Sequence, residues 1–195
     1  MEVETRAPGR PRSEEAERAI LDATMASLAD AGFSGTTMAG IARDAGVSTA
    51  TIYRRWSSLS EVVIAALTRQ RAELVFPDTG SLADDLRLLT RQMVHQLTNT
   101  PEVAVLTALI DQARRDPDLA AAVAEAVIAP AREAVGAMFR RGIERGEVDP
   151  DVDIDLAIDV MTAPLYLRSL TTQRRLRPAD ADKLAALLLR AVQPT

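Results

Sequence analysis

The residues best suited to chemistry lie in one short stretch, GVSTATIYRRWSSLSEV, which runs from Gly46 to Val62. It concentrates hydroxyl groups, a tyrosine, two arginines and the only tryptophan of the chain. Hydroxyl and guanidinium groups donate hydrogen bonds to phosphate oxygens and to the edges of bases. Nucleophilic catalysis fits poorly, because His95 is the single histidine available as a base. The stretch therefore predicts binding chemistry.

Composition narrows the class of protein further. The chain has 195 residues, 47% of them apolar, which is enough to bury a sizeable core. It has no cysteine and one histidine, so we expect no metal site and no cofactor, and the absence of GxSxG, GxGxxG and P-loop motifs argues against an enzyme. No apolar run approaches the roughly 18 residues that span a bilayer, so we expect a cytoplasmic protein without a membrane partner.

Helix start and stop signals place the stretch in an all-α architecture. We predict a first helix from Glu14 to about Ala31, capped by Ser13, and a second from Met38 to Ala45, capped by Thr37. Ser48 caps a short third helix, whose outward face carries small and polar residues once its apolar residues turn inward. This layout is typical of a helix-turn-helix, and the face predicts contacts to DNA from Ser48, Thr49, Ala50, Thr51, Tyr53, Arg54 and Arg55. The alternative from the residues alone is three small helices that cap a bundle, with these side chains solvated.

The run TTMAGIARDAGVSTATIYRRWSSLSEVV, together with the preceding ILDATMASLADAGFSG, resembles the DNA-binding domain of TetR-type (tetracycline-repressor-like) regulators. The resemblance implies phosphate contacts from Thr37, Thr51 and Tyr53, and an approach to bases by Thr49, Ala50 and Arg54. One departure is Leu59, at a position where the family commonly has a lysine. The resemblance therefore implies a regulator, most simply a repressor, that binds a palindromic double-stranded DNA operator as a homodimer and is released by a small molecule. A helical protein-interaction module without specific DNA binding is the alternative.

The residues before Ser13 form a basic segment, APGRPRS. We predict that residues 1–12 are a flexible arm, whose Arg10 and Arg12 can enter a narrow minor groove. The alternative is a disordered tail whose arginines improve solubility. Beyond the arm, we predict a helix-turn-helix domain over residues 13–57, a connecting helix over 58–75 and an effector-binding and dimerisation domain over 76–195.

The last two predicted helices, Ile154 to Gln173 and Ala179 to Val192, have the apolar content of a dimer interface. The first of them carries two apolar stripes, so that one can face its own domain and the other a partner. A helix simply buried within a monomer is the alternative. We predict the interface from Ile154, Ile158, Met161, Leu165, Leu184, Leu187, Leu188 and Ala191.

The resemblance also implies a small-molecule pocket in the C-terminal domain. Thr162 and Tyr166 lie on a polar stripe of the helix that starts at Ile154, which is either a solvated face or part of a cavity wall. The residues predicted to line the pocket are Gln92, Met93, His95, Leu97, Leu106, Met138, Phe139, Met161, Thr162 and Tyr166.

Overall fold

The protein is built from α-helices, with no β-strand in its described part. The computed structural model describes residues 10–171 and 175–194, with side chains from residue 13 onward. None of the helices in these ranges is long and apolar enough to cross a membrane. The helices are α1 (Arg10–Gly35), α2 (Met38–Asp44), α3 (Thr49–Tyr53), α4 (Leu59–Ala72), α5 (Leu82–Asn99), α6 (Glu102–Ala113), α7 (Pro117–Val123), a π-helical turn (Ala124–Ile128), α8 (Ala129–Glu144), α9 (Ile154–Thr171) and α10 (Pro178–Val192). The predicted all-α class is confirmed.

Capping groups and two left-handed glycines shape the first three helices. Gly32 has φ of +66° and interrupts α1 where the sequence predicts its end. The side chains of Thr37 and Ser48 each accept a hydrogen bond from the amide three residues on, so they cap α2 and α3 as predicted. Between these two helices Gly46 has φ of +66°, which a residue with a Cβ adopts only at a cost. The two caps and the glycine turn determine how α2 is joined to α3.

The start of α1 differs from the prediction. The helix begins at Arg10, so Ser13 lies inside it and does not act as its cap. Residues 10–12, assigned to a flexible arm, are the first helical turn. Residues 1–9 of that arm lie outside the described residues.

A small apolar core holds α1, α2 and α3 together. Ile20, Ile41 and Ile52 come one from each helix, and all three are fully buried. Val62 of α4 completes this core, and the half-buried Trp56 packs against it, as the sequence predicts for a core aromatic residue. The recognition helix is therefore held by a single buried anchor, Ile52, on a helix of only five residues.

A second apolar cluster joins these helices to the rest of the protein. Leu28 of α1 and Val63 and Leu67 of α4 pack against Val105 of α6 and Val127 of the π-helical turn. The helix α4 thus contributes to both clusters, because its buried residues occupy two sides. Its bounds, Leu59–Ala72, are shorter than the predicted connecting segment.

The C-terminal helices form a bundle in which α5 contacts α8, α9 and α10. Its largest fully buried side chains include Phe139 and Met138 of α8 and Met161 and Leu165 of α9. The core of this bundle sits between α5 and the last three helices.

The long helical segment that begins at Pro117 is irregular near Pro130. Pro130 stands in the first turn of α8, and the backbone before it is also helical. The irregularity is the π-helical turn just before it, in which one extra residue widens the helix. Pro164 stands inside α9, and α-helix continues on both sides of it.

Candidate nucleic-acid interface and ligand cavity

The helix α3 presents a polar face to solvent. With Ile52 fully buried, Thr49, Ala50, Tyr53 and Arg54 are exposed, and Tyr53 retains 55% of its side-chain exposure. A large aromatic side chain this exposed on a five-residue helix has no packing role within the protomer. Among the described residues, no carboxylate pairs with Arg54. The face therefore offers a phenol hydroxyl and an unpaired guanidinium beside a small residue, which suits entry into a major groove.

The predicted hydroxyl contacts at the helix starts remain usable although they already act as caps. Thr37 Oγ1 accepts from the Gly40 amide at 3.1 Å, and Ser48 Oγ accepts from the Thr51 amide at 3.2 Å. Accepting a bond leaves the hydroxyl hydrogen free to donate, because a hydroxyl both donates and accepts. Ser48 and Thr51 also share a 2.9 Å hydrogen bond between their side chains. Thr37 and Ser48 are exposed and Thr51 is half-buried, so these three lie at the edge of the face.

The structure gives Arg55 a different setting from the predicted DNA contact. Its guanidinium turns toward α1, where Nη1 lies 2.6 Å from the carboxylate of Glu17 and Nη2 donates to the carbonyl and hydroxyl of Ser13. The same guanidinium lies 6.0 Å from the ring centre of Trp56. Two of its nitrogens are thus engaged within the protomer. Arg55 ties the end of α3 to the start of α1.

Arg10 and Arg12 belong to the first turn of α1 by their backbone. Their side chains lie outside the described residues, so their predicted minor-groove contacts stay a prediction. The start of α1 is nevertheless close to the recognition helix, because Ser13 is within hydrogen-bonding distance of Arg55.

A cavity of about 600 Å³ opens between α4, α5, α6, α7, the π-helical turn, α8 and α9. This volume falls within the roughly 300–1,000 Å³ of small-molecule sites. Half of the predicted lining residues border it: Met93, Leu106, Met161, Thr162 and Tyr166. The polar stripe of α9 is therefore a cavity wall at Thr162 and Tyr166.

The other five predicted lining residues lie elsewhere. Leu97, Met138 and Phe139 are packed in the C-terminal core, which α-helical spacing alone cannot distinguish from a cavity wall. Gln92 instead makes two hydrogen bonds with the backbone of Val75. His95 lies on the far side of α5 and contacts Asn99. These assignments were wrong because they relied on residue type and helix position without knowledge of which neighbours pack there.

One end of the cavity carries a triangle of polar groups that joins three helices. Arg71 Nη2 of α4 donates to Tyr166 Oη of α9 at 3.1 Å and lies 3.3 Å from Glu102 Oε1 of α6. Tyr166 in turn donates to the same carboxylate oxygen at 3.3 Å. Sequence reasoning missed Arg71 and Glu102, because a charged residue near a helix end is typical of a solvated surface. Their role in the cavity is visible only from their pairing in the three-dimensional structure.

Burial and the neighbouring charges shift the pKa values of Tyr166 and Arg71 in opposite directions. Burial raises the pKa of Tyr166, and the Arg71 charge offsets only part of that rise, so the phenol stays protonated at neutral pH. Burial by itself would lower the pKa of Arg71, but the neighbouring Tyr166 and Glu102 outweigh it and the net pKa is raised. The triangle is therefore one cation, one anion and one neutral phenol, held in a ring of hydrogen bonds.

A second cation, Arg132 of α8, lies on another part of the cavity wall. It is held from outside by two carboxylates of α9, Asp155 at 2.8 Å and Asp159. The hydrogen bonds that Arg132 donates to Asp159 and Asp155 raise its pKa. Its charge is thus balanced before any ligand arrives.

Apolar side chains of α9 and α10 cover the core with one stripe and face solvent with another. Of the residues predicted for a dimer interface, Ile158, Met161, Leu165, Leu184 and Leu188 are buried in the protomer's own core, and Ile154 packs against it. For the five buried residues the prediction is wrong, because these side chains have no surface left for a partner, whereas Ile154 is half-buried and its role stays a prediction. Leu187 and Ala191 are exposed. The exposed stripe of α9 is the other one, and we call it, together with Leu187, the outer apolar face: Leu156, Val160, Ala163, Leu167 and Leu187.

Comparison with known proteins decides the family. Residues 20–66 match the family described as bacterial regulatory proteins, tetR family, and residues 76–188 match the tetracyclin repressor-like, C-terminal domain. The chain belongs to the TetR family. It is a DNA-binding transcriptional regulator, as the residues of α2 and α3 indicate.

Relatives of this TetR-family chain cover most of its length. It is 32% identical over 188 residues to the uncharacterized HTH-type transcriptional regulator YdeS of Bacillus subtilis, covering 96% of this chain and 94% of YdeS. It is 32% identical over 160 residues to the DNA-binding transcriptional repressor TetR of Mycobacteroides abscessus, covering 80% of this chain and 83% of that repressor. The crystal structure of the TetR-family regulator SCO0332 is 31% identical, with a TM-score of 0.74 over 92% of this chain and 100% of SCO0332.

Proposed function

We propose that the protein is a homodimeric repressor that binds a palindromic operator and is released from it by a small-molecule effector. The observation that carries this proposal is the position of α4. Its Val62 packs under the recognition helix, while its Leu67 and Arg71 form part of the cavity wall. A ligand that moves the far end of α4 acts on the helix that supports α3.

The DNA-reading part of the proposal uses the exposed face of α3. Thr49, Ala50 and Arg54 approach bases, and the hydroxyls of Ser48 and Tyr53 contact phosphates. Thr37 and Thr51 add phosphate contacts at the edges of this face, and Arg10 and Arg12 add contacts from the start of α1. In domain terms, residues 13–57 read DNA, 58–75 connect, and 76–195 hold the ligand and the partner. Because its target is the chromosome, we expect the protein to act in the cytoplasm.

The dimer is proposed to form through the outer apolar face. Leu156, Leu167 and Leu187 are each more than half exposed, at 59%, 60% and 56%. Contiguous exposed leucines on a monomer are typical of an interface. The TetR of Mycobacteroides abscessus is named a repressor, which supports the same role here. A twofold dimer presents two copies of α3 to two half-sites of a palindrome.

Release of DNA follows from linkage. A ligand that binds one arrangement of the two reading heads more tightly than the other shifts the population toward the first. The loss of DNA affinity equals the ratio of the ligand's affinities for the two arrangements. In this protein α4 packs in both apolar clusters. Its position therefore responds to DNA bound at α3 and to a ligand bound in the cavity.

The DNA-reading proposal is tested by selecting genomic fragments with purified protein at near-physiological salt and sequencing those retained. We expect one palindromic motif. The variant Tyr53→Ala with Arg54→Ala should lose retention while sedimentation shows an unchanged dimer. The control is Arg115→Ala, an exposed arginine far along the chain that pairs with Asp111. Motif-free retention, or retention that survives the double substitution, would favour a protein-interaction module instead.

The dimer proposal is tested by charging the outer apolar face. Leu167→Glu should convert the dimer to a monomer in analytical ultracentrifugation and abolish operator binding. Leu88→Glu is the matched control, because Leu88 of α5 is 45% exposed and lies outside the face. A Leu167→Glu protein that remains dimeric would place the interface elsewhere.

A further inference from the structure

The cavity wall is mostly apolar and has only a few polar groups, and this composition restricts which ligands can bind. Of the 26 described residues that line it, twenty have hydrocarbon or thioether side chains. The polar groups are few, and the triangle of Arg71, Glu102 and Tyr166 is the cluster that bridges three helices. Resting on the proposed function, we infer that the effector is an uncharged, largely hydrocarbon molecule with a single hydrogen-bond-accepting head, and that this head docks on Arg71.

The apolar wall selects against a polar body. Burying hydrocarbon against the side chains of α6, α7 and the π-helical turn is favourable by roughly 25 cal/mol per Å². A hydroxylated or multiply charged body would lose its water without gaining partners on this wall. Among the described residues that line the cavity, the aromatic ones are Phe76 and Tyr166. Two rings do not make the cage that a quaternary ammonium group requires.

The charges around the cavity disfavour an anionic ligand. Two cations, Arg71 and Arg132, stand against three carboxylates, those of Glu102, Asp155 and Asp159. A ligand carboxylate on Arg71 would have to share that cation with Glu102, whose side chain is only 9% exposed. Two carboxylates at one guanidinium repel each other, and displacing Glu102 would leave a buried charge unpaired.

A cationic ligand meets the opposite problem. The acceptor of the triangle, the Glu102 carboxylate, already accepts from Tyr166 and pairs with Arg71. A cation placed beside it would also lie beside the Arg71 charge. Asp155 and Asp159 cannot substitute, because both are on the exposed side of Arg132 and are themselves mostly exposed. An uncharged ligand avoids both penalties.

The head group should be an acceptor because the unused polar groups of the wall include strong donors. Arg71 uses Nη2 toward Tyr166, while its Nε and Nη1 hydrogens have no partner within the described residues. The side-chain amide of Gln70, one residue earlier, is likewise without a hydrogen bond in that part of the chain. A carbonyl or hydroxyl oxygen fits these donors. Such a head group would bind directly to α4.

Four probes with the same ten-carbon chain test this inference: 1-decanol, 2-decanone, decanoate and decylammonium. Each is titrated below its aggregation limit against the full-length protein loaded with the neutral dye Nile red, at pH 7.4. We expect 1-decanol and 2-decanone to displace the dye at least tenfold more tightly than either charged probe. Glu102→Gln should raise decanoate affinity at least fivefold, because it removes the competing carboxylate. Glu133→Gln, an exposed glutamate paired with Arg140, should leave all four affinities unchanged.

A second variant tests the role of Arg71 in holding the head. Arg71→Met keeps an unbranched apolar stem and removes the donors, so it should weaken 1-decanol and 2-decanone at least threefold while Nile red still binds. Tighter binding of decanoate or of decylammonium by the native protein would overturn the inference about charge and leave the ligand-responsive function intact. Failure of Nile red and all four probes to bind a protein that still retains its operator would instead overturn the cavity as an effector site.

Discussion

Replacing Arg55 distinguishes two possible roles of this side chain, because each predicts a different salt dependence of operator binding. If Arg55 contacts a phosphate, Arg55→Gln removes one counterion-releasing contact from each protomer. The slope of log K against log salt would then flatten by about 0.9 for each protomer, or about 1.8 for a dimer. If Arg55 instead positions α3 by holding it to Glu17 and Ser13, the slope stays the same and only the affinity falls.

The size of the positioning effect follows from the exposure of the pair. The Arg55 side chain is 31% exposed and that of Glu17 is 46% exposed. An ion pair in this range is worth about 0.2–1 kcal/mol. The further bonds to Ser13 bring the tether toward the upper end, about 1 kcal/mol, which is about fivefold in affinity for each reading head.

The assay is operator binding by fluorescence anisotropy from low to moderate salt, with Glu17→Gln, Arg55→Gln and the double variant. We expect Arg55→Gln to weaken binding more than Glu17→Gln, because it also removes the bonds to Ser13, and the double variant to be no weaker than Arg55→Gln, because the Glu17 bond is part of the same tether. Asp22→Asn is the control for removing an acid from α1, since Asp22 pairs with Arg69 and not with α3. Tighter binding by Glu17→Gln, or a flatter slope for Arg55→Gln, would refute the positioning role and restore the phosphate contact.

Three further predictions concern the supports of the two domains. Gly46→Ala should lower the stability of the helix-turn-helix by about 1 kcal/mol, because φ is +66° there, and urea unfolding followed by Trp56 fluorescence measures it. Ser48→Ala should weaken operator binding through loss of the α3 cap, which is worth about 1 kcal/mol, and Ser48→Thr should retain most of it. Gly142→Ala should destabilise the C-terminal bundle by about 1–3 kcal/mol, because an added Cβ would lie 2.7 Å from Val148 Cγ2, as circular dichroism on heating would show.

Each of these predictions has an outcome that contradicts it. A Gly46→Ala protein as stable as the native one would mean that the turn between α2 and α3 relaxes freely. Ser48→Ala binding with native affinity would mean that DNA itself orders the start of α3. For Gly142 the control is Gly136→Ala, whose added Cβ meets the flexible end of Arg140 at 3.2 Å. Equal changes in stability from both glycine substitutions would show that overpacking at Gly142 does not set the cost, because alanine has the same advantage in helix propensity at both positions.

Features fixed by neighbours in sequence were predictable. The caps at Thr37 and Ser48 depend on residues within one turn, and the structure has both where the sequence places them. The start of α1 was misplaced, because a capping residue such as Ser13 does not prevent the helix from beginning earlier. The family resemblance then supplied what local signals cannot, the use of this layout for reading DNA.

Features fixed by distant pairing were not predictable. Arg71 and Tyr166 are 95 residues apart, and Arg55 and Glu17 are 38 residues apart. In α9 both apolar stripes have helical spacing, so periodicity alone could not tell which one faces the core. The choice made from the sequence was therefore inverted at Ile158, and the exposed stripe carries the proposed interface.

The π-helical turn at Ala124–Ile128 also has a consequence for how related chains should be aligned. One extra residue in a helix advances every side chain beyond it by about 100° around the axis. In this chain Val123 before the turn and Ala131 and Val135 after it all border the cavity. A chain lacking one residue here would keep a continuous helix of nearly the same length, yet it would turn a different set of side chains toward the cavity. A one-residue gap in this segment therefore marks a change in what the regulator senses, although an alignment would show it as a minor difference in length.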